Sequence, residues 1–166
     1  VEEFERYATE MLAAETVAVI LHSFPDMPWE FQHDAARHLY DEVRHCLMGY
    51  EWMRRHNLDP FQAPQYLQIF KWRTRFDPLT QYTMLTMGNE VSAFPYRHRR
   101  VEAHQNSGDQ LSEQFVRYDI ADETQHVRFG NGHPVDDVIG QLSQLRAHAG
   151  ELCTAGLVVR LGHIHA

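Results

Sequence analysis

The sequence predicts an all-α fold, in which four long helices form a four-helix bundle of two hairpins joined by a long crossover. Apolar residues recur at helical spacing in four long segments, and turns containing proline or glycine separate these segments. No stretch of the chain shows short strands alternating with helices. Together these patterns indicate helices packed on helices, with room for an additional helix near the C-terminus.

Length and composition indicate a single domain. The chain has 166 residues, of which 43% are apolar and 23% charged, and its net charge is -8. This length fits one domain over 1–166, with a core at about 1–140 and a C-terminal extension at 141–166. The apolar content excludes a disordered chain.

Charge and hydropathy also exclude several partners. No apolar run approaches the roughly 20 residues that span a bilayer, and the first residues lack the basic and apolar stretches of a signal peptide. The acidic balance argues against nucleic-acid binding, which needs clustered Lys and Arg. We therefore expect a cytoplasmic protein without a membrane or nucleic-acid partner.

The first hairpin is predicted from two long amphipathic segments. The first helix covers Glu2–Phe24 and ends at a turn that contains Pro25 and Pro28. The second runs over Pro28–Arg55, or one residue further, and stops at Asn57–Pro60.

The second hairpin follows a crossover at 57–77, which holds several aromatic residues and room for one short helix. The third helix begins at Pro78 with Asp77 as its cap, and runs to about Gln105. Pro95 removes the hydrogen bond to the Val91 carbonyl, so this helix should distort beside Glu90. The distortion is interpreted either as a bend for packing or as an opening that admits a substrate.

The fourth helix is predicted over Gly108–Phe129. Ser107, with Gln110 three residues later, is typical of a capping box at its start, and Gly130 with Gly132 marks its end. A weaker helical pattern over Val138–Cys153 supplies the additional C-terminal helix.

Two matching motifs indicate a metal site. Asp41-Glu42-Val43-Arg44-His45 and Asp122-Glu123-Thr124-Gln125-His126 both read Asp-Glu-x-x-His within predicted helices. The i, i+3 spacing puts Glu and His on one helix face, where both can reach one metal ion. A third Glu-x-x-His, at Glu30 and His33, lacks the preceding Asp and is interpreted as incidental.

Each motif is preceded by a helix with one Glu among apolar residues, Glu15 in the first half and Glu90 in the second. An ionised carboxylate in such surroundings is costly unless it is paired or bound to a metal. Carboxylates with one imidazole per metal suit iron or manganese, and the absence of thiolate pairs disfavours structural zinc. The predicted ligands are Glu15, Glu42, His45, Glu90, Glu123 and His126.

Other polar residues near the motifs are given supporting roles. Asp41 and Asp122 could each accept the free N–H of the His in the opposite half, and Arg44 could neutralise such an Asp. The remaining neighbours are interpreted as lining or structural residues rather than ligands: His22, His38, Asp119, Cys46 and Cys153.

The two motif segments resemble a known group of proteins. Asp26–Cys46 (DMPWEFQHDAARHLYDEVRHC) and the segment 108–130, which ends DETQHVRFG, are similar to an uncharacterised, largely bacterial ferritin-like di-iron carboxylate family. The pattern is more distantly similar to tRNA-hydroxylase-type di-iron oxygenases. The resemblance implies a ferritin-like bundle with two Fe ions, or Mn at one position. Rubredoxin-like Cys pairs are missing, so any reductant must come from elsewhere.

Site and resemblance together predict a non-haem di-iron oxidoreductase that activates O2 or peroxide to oxidise an unidentified organic substrate. Its partners would be a small molecule, O2 and an external electron donor, with a homodimer as one assembly. The alternatives are an iron-storage or iron-binding protein, a ferroxidase or peroxide-detoxifying activity, and a bundle that keeps the metal site for structure alone.

Overall fold

A computed structural model describes residues 2–62 and 67–132, and this part of the chain is helical, with no strand. Its helices are α1 (Glu2–Ala8), α2 (Met11–Ser23), α3 (Trp29–Arg55), α4 (Leu67–Arg73), α5 (Pro78–Thr83), α6 (Val91–Ser107) and α7 (Gln110–Gly132). A 3₁₀ turn at Pro60–Gln62 and a π-helical segment at Met84–Glu90 complete it. The all-α prediction is confirmed. The helix predicted at Val138–Cys153 and the extension at 141–166 lie outside the described residues.

The helix predicted over Glu2–Phe24 is broken into α1 and α2. The Thr9 and Glu10 amides bond to the carbonyls of Arg6 and Tyr7, three residues back, at 2.8 and 3.0 Å. These tight turns replace the four-residue spacing of an α-helix and redirect the chain. The break determines which carboxylate of this segment faces the interior.

The long helix α3 confirms the second predicted helix almost to its ends, and it packs along α1 and α2. In one core cluster the rings of Phe4 and Trp52 stack with centroids 4.2 Å apart. Gly49 permits this close approach, because a Cβ there would lie 2.6 Å from the Ala8 amide nitrogen and 2.7 Å from the Phe4 carbonyl oxygen. The glycine therefore fixes α1 against α3.

The third predicted helix is confirmed as a helical run but not as a regular α-helix. Asp77 caps α5 as predicted, since its Oδ1 accepts hydrogen bonds from the Leu79 and Thr80 amides, both at 3.1 Å. The irregularity is the π segment, which ends at Glu90, whereas α6 continues as an α-helix through Pro95. A π-helical turn is wider than an α-turn and is frequent at functional sites.

The start and end of α7 differ from the prediction. Ser107 is the last residue of α6, and Gly108 closes that helix in the left-handed conformation with φ 72°. The α7 cap is Asp109, whose Oδ1 accepts the Ser112 amide at 3.1 Å, so the capping box predicted from Ser107 is wrong.

Gly130, expected to end the fourth helix, lies inside α7. A Cβ at Gly130 would lie 2.6 Å from the Thr86 Oγ1, so the glycine allows α7 to approach the π segment closely. The glycine therefore serves packing and not termination.

The helices form two packed groups that meet where α3 contacts α7 and where α2 contacts α5. The pair α2 and α3 packs together, as does the pair α6 and α7, while α7 also contacts α3 and the π segment. Helix α4, from the crossover, contacts α2. No helix within the described ranges is long and apolar enough to cross a membrane. The α3–α7 contact brings the two Asp-Glu-x-x-His motifs together.

Candidate metal centre

The two motifs face each other across the α3–α7 interface, and their Glu and His side chains are almost completely buried. His45 Nδ1 lies 3.7 Å from Glu42 Oε2, and His126 Nδ1 lies 3.8 Å from Glu123 Oε2. Across the interface, the same His45 atom is 3.9 Å from Glu123 Oε1, and His126 Nδ1 is 3.8 Å from Glu42 Oε1. Four of the six predicted ligands therefore converge.

Glu90, the fifth predicted ligand, joins the cluster from the end of the π segment. Its Oε1 lies 3.8 Å from His126 Nδ1, and its side chain is buried. The next residue, Val91, is exposed, whereas the Glu90 carboxylate at the end of the π segment is turned into the protein. The helix is distorted beside Glu90 as predicted, but the distortion is the π segment that ends at Glu90 and does not lie at Pro95, which is inside the regular helix α6.

Glu15 does not join the cluster, and this prediction is corrected. Its side chain is exposed, and Glu10 stands in its place with Oε2 3.2 Å from His45 Nδ1. Helical spacing distinguishes Glu10 from Glu15, whereas the apolar residues next to Glu15 in the sequence suggested the wrong residue. Counting from Glu10 by three, four, seven and ten gives the buried Ala13, Ala14, Val17 and Ile20. Glu15 lies off that face, although its sequence neighbours are apolar.

Two further residues that were assigned lining roles are cluster members. His38 is fully buried, with Nε2 3.0 Å from Glu42 Oε1 and 3.1 Å from Glu90 Oε1. Asp119 is also fully buried, with Oδ1 3.7 Å from His45 Nδ1. Each precedes the Glu of its motif by four residues, which places it on the same helix face. His22, by contrast, is exposed, as a surface role requires.

The cluster divides into two overlapping groups, each able to surround one cation. Site A consists of His38, Glu42, Glu90 and His126, whose ligand atoms lie within 4.8 Å of one another. Site B is centred on His45, which forms one such group with Glu10 and Asp119, and another with Glu42 and Glu123. Glu42 belongs to both sites and is the natural bridge between them.

Each motif also supplies an Asp to the His of the other, as the sequence predicts. His45 Nε2 lies 3.1 Å from Asp122 Oδ2, and His126 Nε2 lies 3.4 Å from Asp41 Oδ2. Arg44 bridges the two acids: it is hydrogen-bonded to Asp122 and 3.2 Å from Asp41 Oδ1. Burial opposes ionisation of both acids, but the His and Arg contacts outweigh it and lower the pKa of each.

Several atoms that face the interior of the cluster have no hydrogen-bond partner among the described residues. The buried atoms without a hydrogen-bond partner include His45 Nδ1, His126 Nδ1, both Glu90 oxygens, Glu10 Oε2, Glu123 Oε2 and Asp119 Oδ1. Leaving such groups unsatisfied is costly, and the cost is greatest for charged groups. A cation between them would satisfy several at once, so the donor set fits bound metal.

In the metal-free cluster, protons would take part in the charge balance. Burial raises the pKa of Glu10 to about 7 and that of Glu123 to about 8. Burial disfavours the charged imidazoles, but nearby carboxylates raise the pKa of His38 to about 10 and that of His126 to about 9. The neighbouring imidazoles lower the pKa of Glu42 despite its burial. Metal binding must therefore compete with protons.

Arg97 of α6 reaches into site B. Its guanidinium is hydrogen-bonded to Asp119 and, at 2.9 Å, to Glu123 Oε1, and it lies 3.9 Å from Glu10 Oε1. Burial opposes its charge, but Asp119 and Glu123 raise the pKa of Arg97 well above its usual value. Site B therefore contains a permanent cation that site A lacks among the described residues.

A cavity of about 290 Å³ opens onto both sites. Its polar wall includes Glu10, Glu42, Glu90, Glu123, Arg73 and Arg97. Apolar side chains of α2, α4, the π segment and α6 complete it.

No known protein family, curated protein or solved structure matches the chain. The resemblance to ferritin-like di-iron proteins thus remains a prediction, and the geometry of the centre carries the functional argument.

Proposed function

We propose that this protein is a non-haem di-metal oxidoreductase. Its ferritin-like four-helix bundle would hold two iron ions, or iron and manganese, in sites A and B. The observation that carries the proposal is the convergence of unpartnered buried carboxylate and imidazole atoms from α2, α3, α7 and the π segment beside one cavity. Such a set has little use in a metal-free fold, because burial without partners destabilises it.

The donor chemistry supports iron or manganese. Sites A and B offer carboxylate oxygens and imidazole nitrogens, the ligand types suited to these ions in non-haem centres. The described Cys46 takes no part, since its Sγ donates to the Ala8 carbonyl at 3.4 Å. The Asp–His contacts fix each imidazole with Nδ1 toward the cluster and increase its basicity as a ligand.

The two metal ions would supply activation of O2 or peroxide, and the chain supplies the surroundings. The cavity has room for a substrate next to both sites, and apolar side chains form part of its wall. In the metal-free centre Glu10 and Glu123 line the cavity with pKa values of about 7 and about 8, so metal binding would release protons from these carboxylates. With O2 as oxidant, an external donor provides the electrons; peroxide needs none.

Anaerobic loading with Fe(II) tests the metal centre. We expect about two irons per chain after removal of loosely bound metal, and an O2-dependent absorbance change in stopped flow when oxygen is mixed in. Glu10→Gln should lower iron binding at one of the two sites, whereas Glu15→Gln should leave both unchanged, because Glu15 is exposed. Glu123→Ala should weaken binding more severely.

Three results would contradict the proposal. Failure to bind iron, or unchanged binding in Glu123→Ala, would remove the metal centre. Iron accumulating far beyond two per chain in a closed shell of many subunits would identify storage instead. Bound iron that raises the melting temperature but shows no O2-dependent change would identify a structural centre.

A further inference from the structure

Arg73 is a buried guanidinium that has no ion-pair partner within the described part of the chain. It is the last residue of α4 and only 4% of its surface is exposed, yet it lines the cavity beside sites A and B. Its Nε has no hydrogen-bond partner, and no carboxylate of the described residues lies within ion-pair distance. Because an arginine stays charged in proteins, a buried guanidinium without a counter-charge destabilises the fold unless a bound ligand pairs with it.

Arg44 and Arg97 differ from Arg73 because each is paired with carboxylates, although Arg44 Nε and Arg97 Nη1 also lack a hydrogen-bond partner. Arg97 bonds to Asp119 and Glu123, and Arg44 to Asp122. Arg73 instead shares the cavity wall with Glu42 and Glu90, and neither carboxylate is within ion-pair distance of it. Burial lowers the pKa of Arg73, and the charges of these two carboxylates partly oppose that effect. These two carboxylates are site A residues. A metal ion bound there would neutralise much of their negative charge, so they would no longer compensate the charge of Arg73.

The charges of the centre indicate that the ligand of Arg73 is an anion. This inference rests on the proposed function, because it assumes two bound metal ions. The four Glu of the centre carry four negative charges, which two divalent ions balance, and Asp119 balances Arg97. The two remaining acids, Asp41 and Asp122, are balanced by their hydrogen-bond partners Arg37 and Arg44. The charge on Arg73 then remains. A single anionic group in the cavity would neutralise it, and a planar carboxylate matches the guanidinium through two parallel hydrogen bonds.

The apolar part of the cavity wall indicates that the rest of the ligand is apolar. Phe70 lies three residues before Arg73, on the same face of α4, and both line the cavity. Leu12, Ala13, Leu85 and Ala93 provide the other apolar surface. The cavity volume of about 290 Å³ is close to the lower end of the range of roughly 300–1,000 Å³ for small-molecule pockets. The space therefore suits a small molecule with a short apolar body.

We propose that the substrate of this centre is a small monocarboxylic acid, whose carboxylate is held by Arg73 and whose apolar body lies along Phe70 and Leu85. Arg73 then acts as a positioning residue. It fixes one end of the substrate, so that the apolar carbons extend over the metal sites, where oxidation takes place. The long crossover, otherwise only a connection, contributes α4 and thereby the specificity of the site.

Binding calorimetry with hexanoate and hexanamide tests this assignment on the iron-loaded, anaerobic protein. The two probes have similar size and apolar body but differ in charge. We expect hexanoate to bind about 10- to 100-fold more tightly, the range for a charge-assisted hydrogen-bonded pair. Arg73→Gln should remove that preference and Arg73→Lys should retain part of it, whereas Arg75→Gln, at an exposed position two residues away, should keep it in full.

Iron content measured in the same samples separates the two proposals. Protein that takes up no iron overturns the proposed function and this inference with it. Protein that holds two irons but binds hexanoate no better than hexanamide overturns the inference alone. Hexanoate binding that is unchanged in Arg73→Gln, as for a carboxylate held by the metals only, also overturns it. The comparison of probes on the unmodified protein decides the matter even where an Arg73 variant does not fold.

Discussion

His45 on α3 and Asp122 on α7 are 77 residues apart in the chain, yet His45 Nε2 lies 3.1 Å from Asp122 Oδ2. The reciprocal pair, His126 and Asp41, lies 3.4 Å apart across the same interface. Each motif therefore orients the imidazole of the other. Both motifs must be docked before either His is held in position, so the helix interface and the metal centre form together.

Removal of Asp122 should weaken metal binding without removing a ligand. In Asp122→Ala, His45 loses the acceptor that fixes its ring and raises its basicity, and we expect a fall of about 10- to 100-fold in iron affinity. Competition with a chromophoric chelator measures it. Asp26→Asn, at an exposed position, is the control and should match the unmodified protein. An affinity within about twofold of the original in Asp122→Ala would contradict the supporting role.

Arg97 should make the two sites unequal. Its guanidinium occupies part of site B through Glu123 and Asp119, so a metal ion there meets a like charge. Arg97→Met should strengthen the weaker of the two binding steps by about tenfold or more, since unit charges 4 Å apart interact by about 4 kcal/mol at an effective dielectric constant of 20. Titration followed by calorimetry resolves the two steps.

The same substitution should destabilise the metal-free protein. Removing one partner of a buried ion pair leaves the carboxylates uncompensated, which costs about 3 to 5 kcal/mol of unfolding free energy. Urea denaturation measures this loss. Arg99→Met, at an exposed position on α6, should change neither quantity. Two equal binding steps in the unmodified protein, unaffected by Arg97→Met, would show that Arg97 does not act on site B.

Metal affinity should increase with pH. Near pH 7 the metal-free centre holds protons on Glu10 and Glu123, with pKa values of about 7 and about 8, and on His126, with a pKa of about 9. Metal binding must displace them, so lower pH favours the metal-free form. At pH 7 Glu10 is about half protonated, Glu123 about nine-tenths protonated and His126 almost fully protonated. We therefore expect release of at least about two protons per chain at pH 7, and a rise in overall metal affinity of at least about a hundredfold per pH unit from pH 6 to 8.

A pH indicator in weakly buffered solution measures the released protons. Glu123→Gln should reduce the number, because it removes one of the groups that titrate in this range. Glu15→Gln should leave it unchanged, because that side chain is exposed. Affinity independent of pH would mean that the ligands are already deprotonated in the metal-free protein.

Local sequence patterns correctly predicted those features of the fold and the site that are determined within a single helix. The i, i+3 spacing of Glu42 with His45 and of Glu123 with His126 holds in the structure, as do the Asp77 cap and the extent of α3. These features follow from helical geometry, which the sequence determines over a few residues. The cross-pairing of each Asp with the opposite His was also predicted, because the repeated motif implies a symmetrical interface.

Features that depend on contacts between distant segments were missed or misassigned. Glu10 replaces Glu15 because α1 turns at Thr9–Glu10, a break that no proline or glycine marks. Gly130 suggested a helix end but serves a contact with Thr86, 44 positions earlier in the chain. The partners of Arg97 come from α7, and Arg73 enters from the crossover, so neither role could be inferred from local spacing.

Gly49 should be intolerant of even a methyl group. In a free helix Gly→Ala gains about 1 kcal/mol, but a Cβ at position 49 would lie 2.6 Å from the Ala8 amide and 2.7 Å from the Phe4 carbonyl, both backbone atoms that cannot move alone. Overpacking of this kind costs about 1 to 3 kcal/mol or more, so Gly49→Ala should lower the unfolding free energy despite its helix propensity.

Urea denaturation of the metal-free protein measures the loss at Gly49, and iron titration measures its consequence. Displacing α1 from α3 also moves Glu10, which lies two residues after the end of α1, so site B should bind iron more weakly while site A is little changed. Gly108→Ala is the control: its Cβ meets open space, and only the left-handed backbone at φ 72° is strained, which should lower stability by about 1 kcal/mol and leave both sites intact. Equal or greater stability in Gly49→Ala would show that α1 can move away from α3 without loss.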